Sequence, residues 1–142
     1  MTIGDFWSMI RQQSIQIIIM LTELHDGTKE KCATYWPKKL NQTEVWKSSS
    51  GKNDIEVQLL EEVAHKSHDG RTIFYSRRIK ISTSRDPNNF QIVTQTHYLA
   101  WPDHGVPDVT DDFLMLVEYI MKLRDNVDAK SKKQLPVCVH CR

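Results

Sequence analysis

The sequence predicts an α/β domain in which a central, twisted mixed sheet is flanked by helices. Three observations point there. A continuous β-branched run, SIQIIIML at 14–21, reads as a strand buried in a sheet interior. Three longer runs follow, at 55–64, 71–81 and 90–99, with the period-2 alternation of half-buried antiparallel strands. Helical stripes stand before the first of these strands and after the last.

Each element has its own justification. In DFWSMIRQQ, Phe6, Met9 and Ile10 fall at helical spacing, and Asp5 is placed to cap the first turn. The buried run is bounded by a turn, HisAspGly at 25–27, and 29–36 reads as a second strand stopped by Pro37. The polar stretch 38–54, with its Ser48 to Gly51 cluster, reads as a surface loop. SerHisAspGly at 67–70 and SerArgAspProAsnAsn at 84–89 separate the three long strands, whose stripes are Ile79 with Ile81, and Ile92, Thr94, Thr96 with Tyr98. The clearest helix spans 109–124, with Phe113, Leu116, Val117, Ile120 and Met121 on one side. Asp108, Asp111 and Asp112 suit its positive end, and Lys122 and Arg124 its negative end. A charged connector, 125–134, leads to a last apolar strand, LPVCVH.

Composition narrows the function classes. Of 142 residues, 39% are hydrophobic and 26% charged, with 5 Gly and 5 Pro, which excludes disordered and collagen-like chains. The net charge of +1 supplies no basic field for sequence-independent nucleic-acid binding. The longest apolar run, Ile17 to Leu21, falls far short of the roughly 18 residues that span a bilayer, and Met1 leads into Asp5 rather than into a signal-like stretch. Three cysteines, Cys32, Cys138 and Cys141, are too few and too uneven for a disulfide scaffold, so a reducing, intracellular setting is expected. The expectation is a protein that binds neither nucleic acid nor membrane.

Three places in the chain can carry chemistry. In the loop Trp101 Pro102 Asp103 His104 Gly105 Val106 Pro107, two prolines and a glycine flank one carboxylate between a strand and a helix. Such a loop can swing Asp103 into a cleft about Trp101, or it can be a well-made turn whose carboxylate binds backbone amides. Cys141, preceded by His140, stands just past a buried strand, where backbone amides lower a thiol pKa; the plain alternative is an inert buried thiol. Cys138 and Cys141 also form a CxxC, with His65 and His68 as the other closely spaced metal-ligand types. Strand alternation puts Cys138 and His140 on one face and Val139 and Cys141 on the other, which splits that pair and argues against a zinc knuckle.

Several of these segments, in order, resemble the cysteine-dependent protein tyrosine phosphatases. Asp5 Phe6 Trp7, the strand at 15–21, and Lys31 Cys32 Ala33 Thr34 Tyr35 Trp36 Pro37 are similar to that family's DFW helix, central strand and KCxxYWP segment. Trp101 to Pro107 matches its mobile acid loop WPDHGVP, and Pro136 to Cys141 resembles the strand that delivers its catalytic cysteine. The wording IIIMLTEL and KCATYWP resembles the members carried by insect polydnaviruses, which would place the protein in a host-cell cytoplasm. The resemblance implies that Cys141 attacks phosphotyrosine, Asp103 serves as acid and then base, Trp101 is the loop hinge, and His140 helps set the thiol pKa. It implies phosphotyrosine-containing proteins as partners and no metal or organic cofactor.

The resemblance also implies a domain incomplete at both ends, from the DFW helix through the catalytic-cysteine strand. The family's cysteine is followed by SAGxGR and a helix that cradle the phosphoryl oxygens, whereas Cys141 here is followed by Arg142 alone. Arg142 sits beside the nucleophile and cannot return to face it. The expectation is little or no turnover by residues 1–142, with a non-catalytic interaction module as the alternative of a different class.

Overall fold

The computed structural model describes residues 2–23, 25–26, 29–30, 33–51, 53–101 and 110–141. The first helix, α1 (Ile3–Gln12), starts one turn earlier than Asp5 predicts. Thr2 is its N-cap, and Asp5 completes a capping box by accepting from the Thr2 amide. Gly4, Trp7 and Ile10 face inward, while Phe6 and Met9 pack at the rim of the core. Asp5 also accepts from the Ser49 amide (2.8 Å) and hydroxyl (2.6 Å), pinning the helix to the loop at 48–50.

Among the described residues eight strands follow in chain order with α2 before the last: β1 (Ile17–Met20), β2 (His25–Asp26), β3 (Lys29–Glu30), β4 (Thr43–Lys47), β5 (Asp54–Lys66), β6 (Thr72–Thr83), β7 (Asp86–Tyr98), α2 (Asp111–Ser131) and β8 (Val137–His140). Six strands form one mixed sheet in the order β4-β5-β6-β7-β1-β8, and β2 pairs with β3 apart from it. The meander β4 to β7 is antiparallel, whereas β1 runs parallel to both β7 and β8. The predicted mixed sheet with flanking helices is therefore the fold.

Four local expectations differ. Among the described residues of 29–36 only Lys29–Glu30 is strand, in a two-residue ladder, and Tyr35 and Trp36 are buried as irregular chain. Residues 43–47, expected in a loop, form an edge strand: one face is solvated, so Thr43, Val45 and Lys47 look outward and only Trp46 packs on the core. The separator at 84–89 is a tight turn followed at once by β7, which already pairs Asp86 with Thr83. Helix α2 runs through Ser131, well past Arg124, because the connector's polar residues are the outer face of a helix that buries only Leu116 fully.

The register divides the core between the two sheet faces. Ile55, Val57 and Leu59 of β5, Ile79 and Ile81 of β6, Val93 of β7, and Ile18 and Met20 of β1 meet Trp7 and Ile10 of α1. Ile73, Phe74 and Tyr98 meet Leu116 of α2, with Phe113 and Tyr119 alongside. Each fully buried aliphatic side chain here contributes about 1.5–3 kcal/mol. Because both faces are covered, β7 is buried on both from Val93 onward, and its simple alternation ends. Among the described residues no helix is long and apolar enough to cross a membrane.

Candidate functional site

The three parallel strands end at one edge of the sheet. Met20 lies opposite both His97 and His140, so β1, β7 and β8 deliver Leu21, Leu99 and Cys141 to the same side. Two hydrogen bonds tie this edge: the Leu21 amide donates to the His140 carbonyl at 2.9 Å, and His97 Nε2 bonds the Thr22 carbonyl at 2.6 Å. In open α/β sheets, the carboxyl ends of parallel strands flanking a change of chain direction form the usual ligand crevice. Here the chain leaves β1, builds the meander, returns as β7 on one side of β1, and crosses through α2 to β8 on the other.

Cys141 is the first residue beyond β8, exposed and with a free thiol. Cys138 is half-buried against the α1-side core, and burial pushes its thiol up. The alternation that separates the two cysteines also leaves Val139 exposed and His140 turned inward. Among the described residues no three His, Cys, Asp or Glu side chains are grouped to hold a metal.

His140 sits in an aromatic nest made by Phe6 (centroids 6.0 Å) and Tyr35 (5.3 Å), and its Nε2 is 2.7 Å from Tyr35 Oη. Burial lowers its pKa below the ordinary histidine value, and a hydrogen bond with the Cys141 backbone opposes that shift. Helix α1 shapes the nest: Phe6 and Trp7 both contact the Tyr35 ring, and Trp7 Nε1 donates to the Tyr35 carbonyl at 2.8 Å. The DFW helix and the TyrTrpPro segment thus meet at the residue before Cys141.

Trp101 is half-buried, with its ring 6.4 Å from Phe113 of α2, so the start of the 101–107 loop is anchored between β7 and α2. Asp103 and the rest of that loop lie outside the described residues, as do Cys32 and Arg142. The structure therefore brings Cys141, His140 and Trp101 to one sheet edge.

A buried polar cluster behind His140 escaped sequence reasoning. Arg77 of β6, with its side chain 7% exposed, pairs with Glu62 of β5 at 2.7 Å and lies between the rings of Trp36 (4.6 Å) and Tyr75 (4.9 Å). Its Nη1 reaches Gln95 Oε1 at 2.8 Å and His97 Nδ1 at 3.1 Å. Burial brings His97 down to about 4; its bond to the Thr22 carbonyl opposes this and the Arg77 charge adds to it. One signal was available: Arg77 shares the parity of Ile79 and Ile81, which places a cation on the core face of β6.

Comparison with known proteins bears on this arrangement. The family model for protein-tyrosine phosphatase matches residues 1–142. The chain is 33% identical over 140 residues to tyrosine-protein phosphatase non-receptor type 4 of Homo sapiens, covering 99% of this chain and 13% of that protein. It is 34% identical over 140 residues to tyrosine-protein phosphatase 69D of Drosophila melanogaster, covering 99% and 9% respectively. It is 28% identical over 140 residues to tyrosine-protein phosphatase 1 of Dictyostelium discoideum, covering 99% and 26%. The chain thus spans about a quarter or less of the length of these relatives. With the family model matched along its whole length, this chain belongs to the protein-tyrosine phosphatase family.

Proposed function

We propose that this chain carries the nucleophile and the general acid of phosphotyrosine hydrolysis. Cys141 attacks phosphorus as a thiolate; the S–P bond forms as the bond to the tyrosine oxygen breaks, and Asp103 gives that oxygen its proton. Asp103 then takes a proton from a water that attacks the cysteinyl phosphate, releasing phosphate and restoring the thiolate. Trp101 is the hinge of the loop that carries Asp103, and His140 supports the cysteine. The substrates are phosphotyrosine-bearing proteins inside the cell, and the chemistry uses neither a metal nor an organic cofactor.

One observation carries this reading: β7, β1 and β8 deliver the root of the 101–107 loop and Cys141 to the same edge of the sheet. The family match and the packing of His140 beneath the cysteine support it. Phosphoryl transfer also needs donors around the phosphoryl oxygens, each worth about 10²–10³ in rate. In this proposal those donors come from backbone that follows the cysteine in the relatives' catalytic domains, so residues 1–142 tested by themselves are expected to turn over slowly.

The test joins residues 1–141 to the C-terminal part of the catalytic domain of a relative such as the human non-receptor type 4 enzyme. Hydrolysis of a phosphotyrosine peptide by the joined protein is expected to exceed that of the 142-residue polypeptide by at least about 10²-fold. Cys141→Ser abolishes it, and Asp103→Asn lowers it by about 10²–10⁴. A folded joined protein without turnover, or turnover that survives Cys141→Ser, overturns the proposal.

A further inference from the structure

The ladder of the parallel strands stops short of the edge where Cys141 stands. Met20 is the last residue of β1 in register with β7 and β8, so Leu21 and Thr22 continue beyond it. On the β8 side the Leu21 amide is still held, by the His140 carbonyl at 2.9 Å. On the β7 side a side chain takes over, with His97 Nε2 lying 2.6 Å from the Thr22 carbonyl. Thr22 is 5% exposed, so this carbonyl would be left buried without a partner if the imidazole withdrew.

Two partners that each work in one direction fix the state of the ring. A carbonyl only accepts, so His97 Nε2 carries a proton. A guanidinium only donates, so Nδ1, 3.1 Å from Arg77 Nη1, carries none. Arg77 also donates from Nη1 to Gln95 Oε1 at 2.8 Å and from Nε to Glu62 at 2.7 Å, so turning it away breaks three bonds. The rings of Trp36 and Tyr75 hold it as well. The reverse tautomer would set donor against donor at Nδ1 and acceptor against acceptor at Nε2, and the doubly protonated ring would set two cations side by side. Among the described residues the charged and titratable groups around this buried ring are Arg77 and Tyr75 of β6 and His140 of β8, with Glu62 of β5 behind Arg77.

We propose that His97 is a positioning residue: as a neutral Nε2–H donor oriented by Arg77, it clasps the exit of β1 to β7 and so fixes the edge beside Cys141. Its service to catalysis rests on the reading of Cys141 as nucleophile; the clasp itself does not. The effect on the chemistry is geometric. The Leu21 amide, one residue before the clasp, is bonded to the carbonyl of the residue that precedes Cys141, so a loosened β1 exit frees the backbone that carries the thiol. A misplacement of about 1 Å at a reacting group costs about 10² in rate.

Two measurements test the clasp. In the ¹³C,¹⁵N-labelled 142-residue chain at neutral pH, His97 is expected to show the Nε2–H pattern in a two-bond ¹H–¹⁵N spectrum. Its Nε2 proton should exchange slowly enough to be seen, and should be coupled through the hydrogen bond to the Thr22 carbonyl carbon. A ring protonated on Nδ1, or an Nε2 proton that exchanges as in free histidine, overturns the proposal. The second measurement is turnover by the joined protein. Asparagine places an amide where Nδ1 stands and still meets Arg77, whereas glutamine places one where Nε2 stands and still meets Thr22. His97→Asn is therefore expected to lower kcat by up to about 10²-fold with KM little changed, and His97→Gln to recover most of the loss. His97→Asn at the parent rate, or His97→Gln as slow as His97→Asn, overturns the proposal. Should a variant fail to fold, the spectrum of the unaltered chain decides. A joined protein without turnover leaves the His97 signature in place and counts against the phosphatase reading alone, whereas a missing signature beside Cys141-dependent turnover counts against the clasp alone.

Discussion

Replacing Gly4 by alanine should destabilise the protein, although the exchange favours the helix. In the interior of a helix alanine is better than glycine by about 0.8–1.0 kcal/mol. At Gly4, however, a Cβ would lie 2.1 Å from the Lys47 carbonyl oxygen, 2.5 Å from its carbon and 2.9 Å from the Ser48 nitrogen. These are backbone atoms of β4 and its exit, so no rotamer change relieves the contact. Ordinary contact begins near 3.4 Å, so α1 must retreat from β4 by about 1 Å. Such a shift stretches the bond from Trp7 Nε1 to the Tyr35 carbonyl, now 2.8 Å, beyond hydrogen-bond range. It leaves a buried indole N–H unpaired, at a cost of about 1–3 kcal/mol, and loosens the packing of Trp7 and Ile10. The net expectation is a loss of about 1–3 kcal/mol, or roughly a 1 M fall in the urea midpoint. Urea unfolding followed by tryptophan fluorescence measures it. A Gly4→Ala variant as stable as the parent, or more so, would refute the close approach of α1 to β4.

Tyr35→Phe takes the oxygen partner from Gln95 Nε2 and the hydrogen bond from His140 Nε2, and is expected to cost about 1–3 kcal/mol in the same unfolding experiment. Acid should weaken the fold through His97. Its pKa in the folded chain, about 4, lies below the ordinary 6.5, so between these values the unfolded chain binds a proton that the folded chain refuses. Stability therefore falls as pH drops from about 6.5 to about 4 and levels off below, with a His97 share of roughly 3 kcal/mol. His140 and His65, also lowered by burial, act in the same direction. Unfolding midpoints measured across this range should flatten by the His97 share in His97→Gln, and an unchanged slope would contradict the burial argument.

Elements whose hydrophobic pattern is one-sided or continuous were legible in the sequence, and elements shaped by partners were not. Ile17–Met20 is apolar on both faces and reads as a buried strand because a central strand has no solvated face. Thr43–Lys47 was hidden because an edge strand with one solvated face has little apolar content to reveal it. Helix α2 was cut short because its last turns pack weakly and bear charges, which reads as a connector. The site shows the same division. Cys141, His140 and Trp101 stand out in motifs, whereas Arg77, Gln95 and His97 meet only when β6, β7 and the TyrTrpPro segment are brought together. Tyr35 stands in the sequence only as part of a motif, since nothing local in LysCysAlaThrTyrTrpPro says that its hydroxyl lies within 2.7 Å of a histidine 105 positions away.

The central claim is that Cys141 is the atom to which phosphate is transferred. The joined protein, mixed with a ³²P-labelled phosphotyrosine peptide and quenched in denaturant within the first turnover, measures it directly. Label on the proteolytic peptide that contains Cys141, absent from Cys141→Ser, is the predicted result. Turnover with label on another residue, or with no labelled intermediate on Cys141 at any quench time, would contradict it.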